Sequence, residues 1–155
     1  MNFSPILTKA KVVENPNVQR RPKNPQTLGE HIRKVRMERG MVQKAVAEII
    51  NVDEDSITAW ENGRSQPQVR FYPKILAFLE YNPFKHDFQA VSGRLRHVRI
   101  CMGYSVKLFA PLVAVDPATL TRWECRNGKI PIHTQNIISN YWDSLEQFLK
   151  VSYSL

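Results

Sequence analysis

The side chains of this chain with the greatest capacity for metal or nucleophilic chemistry are two cysteines and four histidines. His97 and Cys101 are four positions apart, which places them on one face of a helix, and Cys125 and His133 lie near a later loop. Such residues could assemble a zinc site, because structural zinc is usually held by four sulfur or nitrogen ligands. Neither a CxxC nor an HxxxH pair is present, so we expect no metal and no cofactor.

Other catalytic patterns are missing from the sequence. It contains no phosphate-binding glycine loop, no serine elbow and no paired-carboxylate constellation, so an enzyme is not expected. His31 and His86 are interpreted as surface residues. Two cysteines are too few for a disulfide framework, and no apolar stretch approaches the ~20 residues of a membrane helix, so we expect a soluble, cytoplasmic protein.

The formal net charge of +8 is unevenly distributed. Residues 1–26 carry five basic side chains and one acidic one, and residues 91–155 carry eight and four, whereas residues 27–80 carry eight of each. This excess favours a polyanionic partner, although surface lysine and arginine are also common in proteins that bind nothing. Four prolines in residues 1–26 predict a flexible, extended basic arm.

The elements that would position functional side chains occur twice. Residues 52–61 recur as residues 115–124, an offset of 63 positions that aligns Trp60-Glu61 with Trp123-Glu124. The same offset aligns the earlier pairs Ile32/Leu95, Val35/Val98, Arg36/Arg99, Gly40/Gly103, Lys44/Lys107 and Ala47/Ala110. A unit of about forty residues has therefore been duplicated.

Periodicity predicts four helices in each unit. In the first unit, Thr27 and Glu30 form a capping box for a helix that ends at Gly40. The other helices are predicted at 42–50, at about 53–62 with Asp53 as cap, and at 71–79, with a left-handed turn at Asn51 and a final stop at Asn82-Pro83.

The second unit repeats this plan with predicted helices at 92–101, from Ser105, at about 116–125 and at about 134–150. Ala114 provides its turn, Asp116-Pro117 begins its third helix, and Pro111 should kink its second helix. The last helix carries a wide apolar surface, which either closes the core between the units or forms a homodimer or protein contact.

The first unit resembles the DNA-binding helix-turn-helix family of the phage repressors and Cro-like (XRE-type) regulators, through Gln43, Ala47, Val52, Ile57 and Trp60-Glu61-x-Gly63. The resemblance covers residues 28–79 strongly and residues 92–142 more loosely, since Val106 replaces the glutamine and two residues are inserted before Asn127-Gly128. It implies an all-α fold with two tandem lambda-repressor-like helix-turn-helix domains behind the arm. The predicted boundaries are 1–26 for the arm, 27–82 and 91–155 for the domains, and 83–90 for the linker.

In that family an arginine of the first helix pairs with a glutamate at the end of the third. The resemblance therefore implies structural ion pairs between Arg36 and Glu61 and between Arg99 and Glu124. A bidentate pair of this kind would fix the third helix against the first.

The family reads bases from the first turn of the third helix and from one turn later. In the first unit these positions are Glu54, Asp55, Ser56 and Ala59. Carboxylates can accept a hydrogen bond from cytosine N4, yet phosphates repel them, and their alternative role is to complement the helix dipole.

In the second unit the same positions are Pro117, Ala118, Thr119 and Arg122. Arg122 could bind guanine O6 and N7, and Ala118 or Thr119 could touch a thymine methyl group. Because this unit departs further from the family pattern, neither third helix is clearly the better candidate for contacting DNA bases.

Phosphate contacts are expected from Gln43, which matches a family position that touches the DNA backbone, and from basic residues beyond each third helix: Arg64, Arg70, Arg126 and Lys129. Arg20 and Arg21 of the arm either enter a minor groove or add only nonspecific affinity.

The resemblance implies sequence-specific binding of double-stranded DNA by a repressor-like transcriptional regulator of a bacterium or phage. One or both third helices, at about 53–62 and 116–125, would enter the major groove. The alternative is a protein-interaction module, an antitoxin-like or scaffolding subunit, that docks a partner through its acidic third helix and its long C-terminal helix.

Overall fold

The structure is a computed structural model that describes residues 21–85, 89–126 and 128–153, with side chains as far as residue 147. Within these ranges the chain is all-helical and contains no strand. The predicted arm up to Arg20, as well as His86, lies outside the described residues. No helix in the described part is long and apolar enough to cross a membrane.

Four α-helices form the first half: α1 Leu28–Glu38, α2 Gln43–Ile50, α3 Glu54–Glu61 and α4 Tyr72–Leu79, with a 3-10 turn at Val69–Phe71. The predicted capping box is present, since the Thr27 hydroxyl accepts a hydrogen bond from the Glu30 N–H at 3.2 Å and the Glu30 carboxylate accepts one from the Thr27 N–H. Asn51 has the predicted left-handed φ, 64°, which lets the chain turn tightly from α2 towards α3.

The second half contains α5 Val91–Cys101, α6 Val106–Phe109, α7 Pro117–Arg126 and α8 Ile132–Tyr153. Because Pro111 has no N–H for a continuing α-helix, α6 passes directly into a 3-10 helix at Ala110–Val113. Gly103 and Ala114 have φ values of 77° and 57°, so both left-handed turns recur 63 positions after Gly40 and Asn51.

Each half has its own buried core, and the two cores use corresponding positions. Ile32, Ile57 and Ile75 are completely buried in the first core, and Leu95, Leu120 and Ile138 fill the matching places in the second. Burial of such side chains contributes roughly 1.5–3 kcal/mol each. The duplicated apolar spacing therefore places each third helix against its own first helix.

The junction between the halves is formed by α4 and α5. Leu76 of α4 packs into the second core, and a Cβ atom on Gly103 would lie 3.0 Å from the ring of Pro73. The side-chain amide of Asn82 lies 3.0 Å from His97 Nε2 on α5. The last helix, which was predicted either to close the core between the units or to form a partner contact, packs mainly on α5 and on the 3-10 helix of the second half, and it shares the second core with Leu76 of α4.

Three further local predictions need correction. Glu80, with a φ of 60°, ends α4 before the predicted stop at Asn82-Pro83. Asp53 occupies the cap position of α3, but its side chain makes no capping hydrogen bond. His31 is half-buried rather than a surface residue, and its Nδ1 lies 2.6 Å from the Tyr81 hydroxyl oxygen.

Asp116 caps α7 through its carboxylate, which accepts a hydrogen bond from the Thr119 N–H at 2.9 Å. Hydrogen bonds from the Thr119 side chain and backbone lower the pKa of Asp116 below its ordinary value of 3.8. A lowered pKa stabilises the folded state above pH 3.8, and this contribution is lost as the pH falls through the folded-state pKa. We expect Asp116→Ala to lower the Tm at pH 7 by a few degrees, with a difference that shrinks in acid.

Asp53→Ala is the matched control for this experiment, because Asp53 stands at the corresponding position without a side-chain bond. Thermal unfolding followed by circular dichroism between pH 3 and pH 7 compares the two variants. Equal losses from both would show that the Asp116 cap does not stabilise α7.

Candidate functional site

The third helix of the first half lies unusually close to the first helix. Gly29 in α1 faces the backbone of Trp60 in α3, where an added Cβ atom would come within 1.9 Å of the Trp60 carbonyl oxygen. Only glycine permits this approach. The corresponding residue of the second half is Ser92, which is buried and carries a side chain at this position.

A buried ion pair holds the end of α3 against α1. Arg36 Nε lies 2.6 Å from Glu61 Oε1, and Arg36 Nη2 lies 2.8 Å from Glu61 Oε2, which is a bidentate pair. The side chain of Glu61 is only 1% exposed. Arg36 Nη1 also donates to the Met41 carbonyl at 3.0 Å, so the guanidinium ties the turn after α1 to the end of α3.

The second half repeats this arrangement atom for atom. Arg99 Nε and Nη2 lie 2.6 and 2.7 Å from the two carboxylate oxygens of Glu124, and Arg99 Nη1 donates to the Tyr104 carbonyl at 2.9 Å. Each of these residues lies 63 positions after its counterpart. The carboxylate is again buried, with 6% of its side chain exposed. We call this bidentate pair, between an arginine of the first helix and a glutamate at or near the end of the third, the ion-pair clamp. The same clamp therefore sets the orientation of both third helices.

Gln43 extends the clamp in the first half only. Its amide nitrogen donates to Glu61 Oε2 at 2.9 Å, and its amide oxygen accepts a hydrogen bond from the Thr58 hydroxyl at 3.0 Å. Val106 replaces this glutamine in the second half. The side chain thus links α2 to α3 internally, and its contact with a DNA phosphate stays a prediction.

The solvent-facing start of α3 is acidic. Asp53, Glu54 and Asp55 are exposed, and none of the three carboxylates forms an ion pair or hydrogen bond with another residue that the structure describes. Ser56 and Ala59, the remaining candidates on this helix, are half-buried. This end of α3 presents negative charge and little else.

The start of α7 differs from the start of α3 in its charge and in the side chains that it exposes. Ala118 and Arg122 are exposed and Thr119 is half-buried, so the three candidates lie on the accessible side of one helix. Arg122 Nη2 lies 3.4 Å from Thr119 Oγ1, one turn away. The Thr121 hydroxyl donates to the Pro117 carbonyl of its own helix at 2.9 Å. Arg122 and Thr119 are therefore brought together at the surface.

The candidate phosphate ligands lie around the third helices. The exposed residues of this set are Arg64, Arg70, Arg126 and Lys129. The guanidinium of Arg70 lies over the Phe71 ring at 4.7 Å from its centroid, which restrains the side chain without using its hydrogen-bond donors. Arg21 is half-buried, with Nη2 at 3.5 Å from the Met37 carbonyl, and Arg20 lies outside the described residues.

Cys101 and His97 form a structural contact. Cys101 Sγ lies 3.5 Å from His97 Nε2, and both residues are buried beside Asn82. Burial raises the pKa of the Cys101 thiol to about 12, which keeps it protonated and a poor metal ligand. Cys125 is exposed, and the described residues contain no group of three or more potential metal ligands.

Several positioning residues escape the sequence patterns. Thr58 and Asn82 act through contacts 15 residues away along the chain, which no short motif reports. Gly29 could have been noticed in the sequence, because it is a glycine inside a strongly patterned helix. Glycine lowers helix stability at such a position, and its presence there therefore suggests that another backbone segment comes close.

Comparison with known proteins adds one finding. Residues 32–85 match a family model described as helix-turn-helix, which spans α2, α3 and α4 together with most of α1. No curated protein and no solved structure matches the chain.

Proposed function

From this helix-turn-helix match over residues 32–85, we propose that the protein binds double-stranded DNA sequence-specifically and acts as a repressor-like transcriptional regulator of a bacterium or phage. Third helices of this fold insert into the major groove, and either one or both of α3 and α7 would do so. The family match bears on the first half, and the duplicated clamp extends the proposal to residues 91–126 as a second domain of the same fold.

The observation that carries the proposal is the doubled ion-pair clamp, which holds each third helix in one orientation while its start stays exposed. Such an orientation is needed because base readout depends on hydrogen bonds of defined geometry. Exposed Arg126 at the end of α7 and Lys129 after it, and Arg64 and Arg70 beyond α3, would contact phosphates on either side of the groove.

Selection of binding sequences from a random duplex pool tests this proposal directly. Purified full-length protein at about physiological salt should enrich a defined motif, which is then titrated at several salt concentrations. Two half-sites about one helical turn, ~34 Å, apart and both bound by one copy of the chain would indicate that both third helices read bases. If no sequence is enriched and binding to duplex is weak, the proposal is wrong.

Lys129→Ala should weaken binding to all duplexes alike. A lysine that contacts phosphate releases one counterion, so its loss should reduce the slope of log K against log salt by about 0.9. Fluorescence anisotropy on the selected duplex and on random DNA measures both slopes. Lys74→Ala, which removes an exposed lysine of α4, is the control and should leave the slope unchanged. A loss confined to one base pair would contradict a phosphate contact.

A protein-interaction module is the second candidate, antitoxin-like or scaffolding in kind. It is favoured by the acidic start of α3 and by large apolar side chains at the surface of the second half, where Leu108 and Ile132 are 63% and 70% exposed. A partner or homodimer contact through α8 belongs to the same proposal. Salt separates the two candidates, because phosphate-dominated binding weakens steeply with salt and apolar docking does not.

A further inference from the structure

We propose that the two third helices have different tasks: α7 reads the bases, whereas α3 stays outside the major groove. This inference rests on the proposed DNA binding and adds which half of the chain carries the specificity. It is derived from differences between residues that the duplication places at equivalent positions.

Charge is the first difference. The 63-position offset pairs Glu54, Asp55 and Ala59 with Pro117, Ala118 and Arg122. The first set carries two negative charges and the second carries one positive charge. All three residues of the second set are exposed. Because phosphates line both sides of the major groove, they repel the first set and attract the second.

The helix caps are the second difference. Asp116 is held against α7 by the Thr119 N–H, so its charge is directed to the helix end that it stabilises. Asp53 makes no such bond, and Glu54 and Asp55 follow it with no partner among the described residues. The end of α3 that would enter a groove therefore presents three uncompensated carboxylates, each of which would lose hydration next to phosphate.

The donors available to bases are the third difference. Arg122 is exposed on α7 and is positioned beside Thr119, whereas its counterpart on α3 is Ala59, which has no donor. A guanidinium can bind guanine O6 and N7 with two hydrogen bonds. We therefore assign recognition of one G·C base pair to Arg122, with Ala118 and Thr119 beside it for an adjacent thymine methyl group.

The first half then acts as a support for α7. Its clamp is reinforced by Gln43 and Thr58, and its α4 packs against α5, the helix to which Arg99 and Glu124 tie α7. In this arrangement α3 completes a rigid domain rather than a reading surface.

The test compares two variants on the selected duplex and on all its single-base changes. Arg122→Ala should reduce the ratio of affinities for the selected duplex and for a duplex changed at one G·C pair by about 5- to 140-fold. The ratios for changes at the other base pairs should alter little. The double variant Glu54→Gln/Asp55→Asn should change affinity by the same factor on every duplex, because α3 would act only through long-range charge. Circular dichroism spectra and Tm values establish that both variants are folded.

The outcomes separate this inference from the proposed function. A selected site with one half-site, together with both variant results, supports it. Two half-sites that are both bound by one copy of the chain, an altered base preference in Glu54→Gln/Asp55→Asn, or intact discrimination in folded Arg122→Ala overturns it while DNA binding stands. If no duplex is enriched at all, the proposed function fails and this inference fails with it.

Discussion

Glu61→Ala should lower the free energy of unfolding by about 3 kcal/mol, the lower end for breaking a buried pair, because it leaves a partly buried arginine without its counter-charge. Arg36 would lose both carboxylate bonds, and Gln43 would lose the acceptor of its amide nitrogen. Since the carboxylate is 1% exposed, water cannot replace these bonds without opening the core between α1 and α3. Urea denaturation followed by circular dichroism measures the loss.

Glu124→Ala is the matched variant in the second half. Glu124 accepts the same two bonds from Arg99 but has no glutamine partner, so its removal should cost somewhat less. Glu61→Gln keeps the shape of the side chain and tests the charge alone. A loss below about 1 kcal/mol from Glu61→Ala, the range of exposed ion pairs, would contradict the assignment of a buried clamp.

Gly29→Ala should be similarly damaging, at about 3 kcal/mol or more, the upper end for overpacking. The added Cβ atom would lie 1.9 Å from the Trp60 carbonyl oxygen and 2.5 Å from its carbonyl carbon. These are backbone atoms of α3, so no side chain can rotate away and the helix itself must shift. The gain in helix propensity from glycine to alanine, about 1 kcal/mol, offsets only part of this cost. Thermal and urea unfolding measure the effect.

Gly40→Ala is the control for this substitution. Gly40 has a φ of 64° with open space around its Cβ position, so alanine meets backbone strain there but no steric overlap. Strain of that kind costs about 1–2 kcal/mol. If Gly29→Ala is no more destabilising than Gly40→Ala, α1 and α3 can separate easily and the close approach does not matter to stability.

Local signals predicted the elements well because the causes of those elements are local. Thr27 and Glu30 cap α1 through groups three residues apart, and Asn51 turns left-handed where the chain needs a short connection. Pro111 interrupts its helix through its own missing N–H. The predicted end of α4 at Leu79 was confirmed, but the residue that ends the helix is Glu80, which takes the left-handed conformation without having a turn preference, and not the predicted Asn82-Pro83 stop.

The candidate site was predictable only in part. The duplicated spacing and the family resemblance named Arg36, Glu61, Arg99 and Glu124, and the structure places these residues in bidentate contact. They did not indicate that Gln43 bonds to Glu61 and Thr58, since that contact depends on how α2 crosses α3. Nor did they favour α7 over α3 for the proposed base recognition, because the sequence does not report which carboxylates are paired.

By itself, the sequence determined the repeated spacing and the helical elements, because apolar periodicity and capping act over a few neighbouring positions. Only the tertiary structure decided how the halves meet, at α4 and α5 through Leu76, Gly103 and Asn82. It alone shows that Asp116 is satisfied by its own helix while Asp53 is not. The contacts at this junction depend on distances between backbone segments far apart in the chain, and periodicity carries no information about those distances.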